Sequence, residues 1–424
     1  MNAILREAWL LGRNRAALAA LVLLALCAAA SVALGLASVA RDRAAIERML
    51  TGQPDEIAAL KAFVTDPGDA AYHAFQPTWD PPSDLAFAAL GSRDIAPAML
   101  RVRALALEGQ IYENEAANPE LALPGRFDLA FVAVYLAPLV LVALLHDLWS
   151  GESEAGRFHA LSALPRARQR VWMPRIAVRV GGVLAAVLLP FLVGALIAGT
   201  SVARGLAFAG LITLVVGFWT IVILALARRG TLSSVNAATL AAIWFALTLV
   251  APAAANLAIN AAVVVPDGAA LARENREDVH AGWDRPKAAT MQRFLAVYPD
   301  LAPHGDVPPT FSWKWYYAFQ HLGDLHVAAQ SQAYRDGIAR RADLARAAGW
   351  LLPPAGLAQA MAAMAGTDVT AQLEYQARIR AYHALLRSYF YSFLFGDKPF
   401  TPSDLDAVPR FDPAIATEMP RNAS

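Results

Sequence analysis

Long, uncharged apolar runs dominate this chain and leave few folds open to it. A bilayer core of roughly 30 Å needs about 20 consecutive apolar residues as a helix, because lipid offers the backbone no hydrogen-bond partners. Five segments meet that requirement: residues 16–40, 128–148 (with Pro138), 176–200 (with Pro190), 205–227 and 234–265 (with Pro252). None has a charged residue well inside its core; Arg179, one turn into the third, is placed to snorkel outward. The predicted fold class is therefore all-α: a polytopic helical membrane protein with five transmembrane helices and helical extracytoplasmic regions. Composition agrees, since 57% of the 424 residues are hydrophobic and only 17% charged, against roughly 25% charged in soluble domains.

Two segments leave alternatives open. Residues 1–40 have the form of a cleaved signal peptide, with Ala-Ser-Val-Ala before Arg41. Signal h-regions, however, run to about 7–15 apolar residues, and this run is longer. Residues 1–15, which include Trp9, are amphipathic and suit a cytoplasmic interfacial helix ahead of an uncleaved first span. Residues 347–366 are uncharged and long enough for a sixth span, but they contain Pro353–Pro354 and are mostly Ala. Paired prolines interrupt helical hydrogen bonding, so the competing expectation is a packed hairpin at the membrane surface.

Orientation follows from arginine placement, because cytoplasmic loops carry the basic excess. Arg6, Arg13 and Arg15 precede the first span. Arg157, Arg166, Arg168, Arg170 and Arg175 lie between the second and third spans, and Arg228 and Arg229 between the fourth and fifth. The loop between the third and fourth has only Arg204. The N-terminus is thus expected in the cytoplasm and the C-terminus outside. Residues 41–127 and 266–424 become extracytoplasmic helical regions. In the first, 41–63 continues the first span outward, Pro77–Pro82 marks a turn, and 92–112 reads as helix or irregular. In the second, helical patterns cover 269–298, 313–348 and 369–394, broken by proline-rich stretches.

Several chemistries lack their residues. Net charge is +1, so no nucleic acid partner is implied. Cys27 stands alone, which excludes internal disulfides and Cys-based redox or four-Cys zinc sites. There is no G-x-x-x-x-G-K-[ST], no H-E-x-x-H and no G-x-S-x-G. No carboxylate sits in mid-membrane, which argues against a proton- or sodium-coupled transporter. Asn236, Asn256 and Asn260 are expected to bond between helices. Phe311–Phe319 (FSWKWYYAF) is either a ligand platform or, as favoured here, an interface belt or packing face. His321, Asp324 and His326 do not share one helical face at their spacing, so a solvated helix surface is expected there and no metal site.

The most informative stretch is His146–Arg175, HDLWSGESEAGRFHALSALPRARQRVWMPR. An acidic turn (Asp147, Glu152, Glu154) and Gly156 precede FHALSAL, followed by Pro165 and an arginine run. Acids before a helix and bases after it suit the macrodipole. Phe158, Leu161 and Leu164 form one apolar edge, the design of a short helix that docks in a cleft of another protein; the plainer alternative is an amphipathic interfacial loop.

This stretch resembles the loop of type-2 ABC exporter permeases, in which an acid-rich Glu-x-Glu-x-Gly-Thr turn leads to a coupling helix and Pro-x-x-Arg. The matching residues are Asp147, Glu152, Glu154, Gly156, Phe158, Leu161, Pro165, Arg168 and Arg175, with Arg157 in place of the usual Thr. The remainder resembles an uncharacterised branch of that superfamily with two large extracytoplasmic helical segments, through Leu351–Pro354, Ala365–Asp368 (AGTD), Gln372–Tyr389 and Pro409–Phe411. Members of that branch then enter a sixth span, which is not found before Ser424. The resemblance implies a permease subunit, not an enzyme, with no cofactor of its own. ATP and Mg²⁺ would belong to a dimer of separate ABC ATPase subunits that pushes the coupling helix. A second permease copy or a related permease would complete the pathway within the lipid bilayer. The alternative is a membrane scaffold or mechanotransmission subunit that moves a periplasmic partner.

Overall fold

A computed structural model describes residues 3–94, 98–113, 127–228, 232–396 and 398–414. Arg229, Arg126 and the expected segment beyond Ala414 lie outside the described residues. Among the described residues, five helices are long and apolar enough to cross a bilayer: Arg15–Lys61, Leu129–Glu154, Arg168–Ala198, Val202–Ala227 and Ser233–Ala262. They are called spans 1 to 5 below. A short helix, Ala3–Arg13, lies against span 3 and leaves Leu5 and Trp9 exposed. Asn14 breaks it from span 1 by accepting a hydrogen bond from Ala17 N at 3.1 Å, an N-cap.

Proline shapes three of the spans in the same way. The backbone N–H groups of Ala137, Met173 and Ala251 bond five residues back, to Val132, Arg168 and Ala246. Each π-turn ends just before Pro138, Pro174 or Pro252. A proline lacks a donor and crowds the carbonyl four residues earlier, and the wider turn makes room for it.

The bundle core is aromatic and aliphatic. Phe191 stacks between Phe87 (6.1 Å) and Phe208 (5.1 Å), with Trp219 fully buried nearby. Cys27 packs against this core, half-buried. Phe87 belongs to no span. It lies in Leu85–Leu90, a fully buried segment from the region after span 1. This wedge is tied down on every side. Leu90 N donates to Asp128 Oδ2 at 2.9 Å, Ala130 N to Ala88 O at 3.0 Å, and Thr200 Oγ1 to Asp84 O at 2.7 Å. Gly35 of span 1 permits the contact, since a Cβ there would sit 2.0 Å from the Phe87 carbonyl oxygen.

The two extramembrane regions form one body. Span 1 runs without a break to Lys61. At 1.5 Å per residue its 47 residues extend about 70 Å, well past a bilayer. Leu60 at its end joins a cluster with the helices Pro67–His73, Lys287–Val297, Trp313–Gly349 and Val369–Leu394, and the last two pack further on with Leu107–Glu113 and Gly268–Ala281. The expected continuous helix over 269–298 is broken by Gly282 and Pro286. A two-stranded antiparallel ribbon pairs Gln76–Trp79 with Met99–Val102. This corrects the turn expected from Pro77: proline is tolerated on an edge strand, where its missing donor costs no ladder bond.

Burial of polar residues joins the two regions. Arg387 donates to Asp324 Oδ2 at 2.6 Å, to Leu105 O at 2.8 Å and to His321 Nδ1 at 2.9 Å. Asp324 also accepts the backbone N–H groups of Leu107 and Glu108, capping that helix. Glu108 is paired with Arg380 at 2.8 Å through both carboxylate oxygens. Burial works to raise the Glu108 pKa, but Arg380 and Ser331 outweigh it and hold it below the usual range. Burial, assisted by the Arg387 charge, lowers the His321 pKa to about 2. The expectation of a solvated surface thus fails for His321 and Asp324, which are closed over by partners distant in sequence. It describes His326, 44% exposed and 3.2 Å from Glu274. In the aromatic run, Trp315, Tyr317 and Phe319 are buried against neighbours such as Trp283, a packing face.

Candidate functional site

The loop between spans 2 and 3 lies at the end of the bundle opposite the extramembrane domain. Span 2 loosens into a turn at His146–Trp149 and closes with Ser150–Glu154. Gly156 then adopts φ +72°, the left-handed conformation that glycine enters without cost, and reverses the chain. The short helix Phe158–Ser162 follows. A second left-handed residue, Arg166 at φ +58° after Pro165, turns the chain into span 3. A non-glycine residue in that region is uncommon, and neighbouring bonds fix it: Gln169 N and Arg170 N both donate to Arg166 O.

Glutamates do the joining. Glu152 accepts from Arg157 Nε at 2.7 Å and from Arg175 Nη1 at 2.9 Å. Arg175 also reaches Glu7 of the N-terminal helix at 3.4 Å and lies over Trp172, 5.5 Å from the ring centre. Arg6 of the same helix donates to Arg170 O at 2.9 Å. Glu154 accepts from Ser233 N at 2.6 Å, so a carboxylate sits at the N-terminus of span 5, where the helix macrodipole favours it. Asp147 stands 3.9 Å from Arg179 of span 3. The acidic turn therefore links span 2 to span 3, span 5 and the N-terminal helix.

The apolar edge is divided. Phe158 lies 6.0 Å from the Trp172 ring, and both it and Leu161 pack half-buried into a cluster with Leu148, Val171 and Trp172. Leu164 is exposed, together with His159, Ser162, Pro165 and Arg168. The exposed face is therefore His159, Ser162 and Leu164, while Phe158 and Leu161 anchor the loop to its own bundle. A cleft of about 840 Å³ opens beside the loop, lined by Trp149, Phe158, Arg168, Trp172, Leu224 and Val235.

Sequence reasoning did not identify Glu7, Ser150 or Ser233 as parts of this site. Ser150 Oγ and Ser233 Oγ are 2.8 Å apart, and Asn236 Nδ2 donates to His146 O and Ser150 Oγ, both at 3.3 Å. Asn236 thus bonds between helices, whereas Asn256 and Asn260 are exposed. The position of Glu7 on the Arg6–Glu7 turn of an amphipathic helix was the available signal. Among the described residues no cluster of His, Cys, Asp and Glu is arranged to hold a metal ion.

At the other end, AGTD is a connector. Gly366, at φ +63°, ends the helix Pro353–Ala365; Thr367 Oγ1 donates to Ala89 O at 2.9 Å; Asp368 caps the next helix through Ala371 N at 3.1 Å.

In comparison with known proteins, the family described as "Domain of unknown function (DUF3526)" matches residues 269–414. No curated protein and no solved structure matches.

Proposed function

We propose that this chain is the transmembrane permease subunit of an ABC-type exporter of a bacterial inner membrane, driven by a separate ATPase dimer through the loop between spans 2 and 3. The observation that carries this reading is the salt-bridged Glu152. It ties the short exposed helix to the start of span 3 through Arg175, and through Arg175 to Glu7. A push on His159, Ser162 or Leu164 would pass into spans 2 and 3 through Glu152 and into span 5 through Glu154, because a lever works only when it is fixed to what it moves. ATP hydrolysis and Mg²⁺ would reside in the partner. The arginine-rich loop end would face the cytoplasm, by the basic excess there. A second copy or a related permease would flank the pathway.

A second reading, a mechanotransmission subunit acting on a periplasmic partner, is favoured by one feature. Span 1 is continuous with the core of the extramembrane domain over 47 residues, so bundle motion would reach that domain without a joint.

Reconstitution with the cognate ATPase tests the proposal. Stimulated ATP turnover should fall in Glu152→Gln while the permease stays folded. Turnover and complex formation equal to wild type would reject the coupling role of the loop.

A further inference from the structure

Residues 341–365 raise a question that neither a sixth span nor a surface hairpin answers. The helix Trp313–Gly349 descends beside the outer half of span 5. Gly337 meets Val265, and Arg341 donates to Val263 O at 2.8 Å and to Asn260 O at 3.4 Å. Rising numbers in one helix meet falling numbers in the other, so the helix runs back toward the membrane interior. It continues eight residues past Arg341, about 12 Å at 1.5 Å per residue.

The return leg gives a similar depth from separate contacts. The helix Pro353–Ala365 packs on span 4 and reaches the middle of span 5 at Ala246–Val250. Its upper end is fixed by Arg204 Nη2, which donates to Met364 O at 3.0 Å, and by Ser83 Oγ, which donates to Ala365 O at 2.6 Å. Arg204 lies in the first turn of span 4. Pro353 is eleven residues below Met364, a descent of roughly 16 Å. Half of a hydrocarbon core is about 15 Å. Both legs thus carry the turn deep between the membrane surfaces, and Met361 and Ala365 join the buried core of the bundle.

We infer that residues 341–365 form a re-entrant hairpin whose turn, Trp350–Leu352, lies in the hydrocarbon of the bilayer against lipid acyl chains. The turn has the chemistry this demands. Trp350 and Leu351 are 88% and 84% exposed, the pairing expected of residues whose solvent is lipid. No charge occurs between Arg346 and Asp368. Unpaired backbone donors are costly in hydrocarbon, and here few remain. Trp350 N donates to Ala347 O, and Leu351 N and Leu352 N to Ala348 O. The next two residues, Pro353 and Pro354, have no N–H to satisfy at a helix start where donors are otherwise orphaned. Gly349 and Gly356 let the legs touch backbone to backbone, since a Cβ on Gly356 would sit 2.5 Å from Gly349 O. This follows from the placement of the spans and is independent of the permease reading.

The test uses the full chain in proteoliposomes with Cys27→Ala. A bimane probe on Leu351→Cys should be quenched by lipids bearing doxyl groups on the acyl chain. The same position should resist a membrane-impermeant maleimide supplied on both faces, while Glu277→Cys, whose side chain is 72% exposed, is labelled. Labelling of Leu351→Cys from water would overturn the inference. So would protection without acyl-chain quenching, together with a Leu351→Cys disulfide between two copies, because protein would then cover the turn. If the labelled variant folds poorly, native Trp350 serves: Trp350→Phe should remove a component of the doxyl quenching of tryptophan fluorescence, and no change would count against the hairpin.

Discussion

The two ends of the membrane bundle are closed by different physics. At the domain end, the buried wedge Leu85–Leu90 and the return leg of the hairpin, through Met361 and Ala365, fill the space between spans with apolar side chains, and Asp128 and Thr367 hydrogen-bond the wedge backbone. At the loop end, the elements are held by ion pairs of partly exposed side chains, Glu152 with Arg157 and Arg175 among them, beside an open cleft. Close packing resists small displacements, because an interior without voids must shift as a whole. Arg157, 63% exposed, contributes little through its pair with Glu152, whereas the enclosed Arg175 holds the loop to span 3, and the open cleft leaves the junction room to shift. The domain end is therefore the fixed end, and the loop end is the one where a small force can change geometry.

The largest effect should come from the extramembrane core above the fixed end. Arg387→Met leaves Asp324 buried without its cation, and loss of one partner of a buried pair costs about 3–5 kcal/mol. Equilibrium unfolding in mixed micelles should register it, and a wild-type curve would show that the pair is dispensable. Next is Gly35→Val, which drives a side chain into the Phe87 carbonyl. Overpacking of this kind costs about 1–3 kcal/mol, and the same unfolding assay should show the loss without any change at the loop.

A pH titration gives the third, graded effect. His321 is an acceptor for Arg387 and has its pKa lowered to about 2 from an ordinary 6.5. Between those values the unfolded chain binds the proton and the folded domain does not. Stability contributed by neutral His321 is complete above 6.5 and falls as pH drops, by up to about 1.4 kcal/mol per unit. His383, also lowered by burial, adds in the same direction. His321→Asn retains an acceptor and should flatten the acid limb of the stability curve; an unchanged limb would assign the acid loss elsewhere. A smaller stability effect than that of Gly35→Val belongs to Glu152→Gln, because Gln keeps an acceptor for Arg157 and Arg175. If that substitution cost as much as Gly35→Val, the contrast between the ends would collapse.

What the sequence disclosed follows the range of the forces involved. Spans 1 to 5 and the helix Val369–Leu394 were legible because apolar runs and helical periodicity are local signals. The wedge was not: SDLAFAAL is too short for a span and has no strand alternation, and its burial depends on Gly35 and Gly194 making room in other spans. His321 and Asp324 looked solvated because the residue that buries them, Arg387, lies 63 residues beyond Asp324. At the loop, the acidic turn and Gly156 were visible as residues, but the division of the apolar edge was not. It is Trp172, outside the edge, that draws Phe158 inward.

The loop as a lever is tested most directly by Leu164→Asp. Leu164 is 47% exposed at the end of the short helix, so the fold should lose no more than about 0.5 kcal/mol, as for surface changes generally. In proteoliposomes with the cognate ATPase, the account predicts that the unfolding curve is preserved while ATPase association and stimulated turnover are lost. Association and turnover at wild-type levels would contradict it.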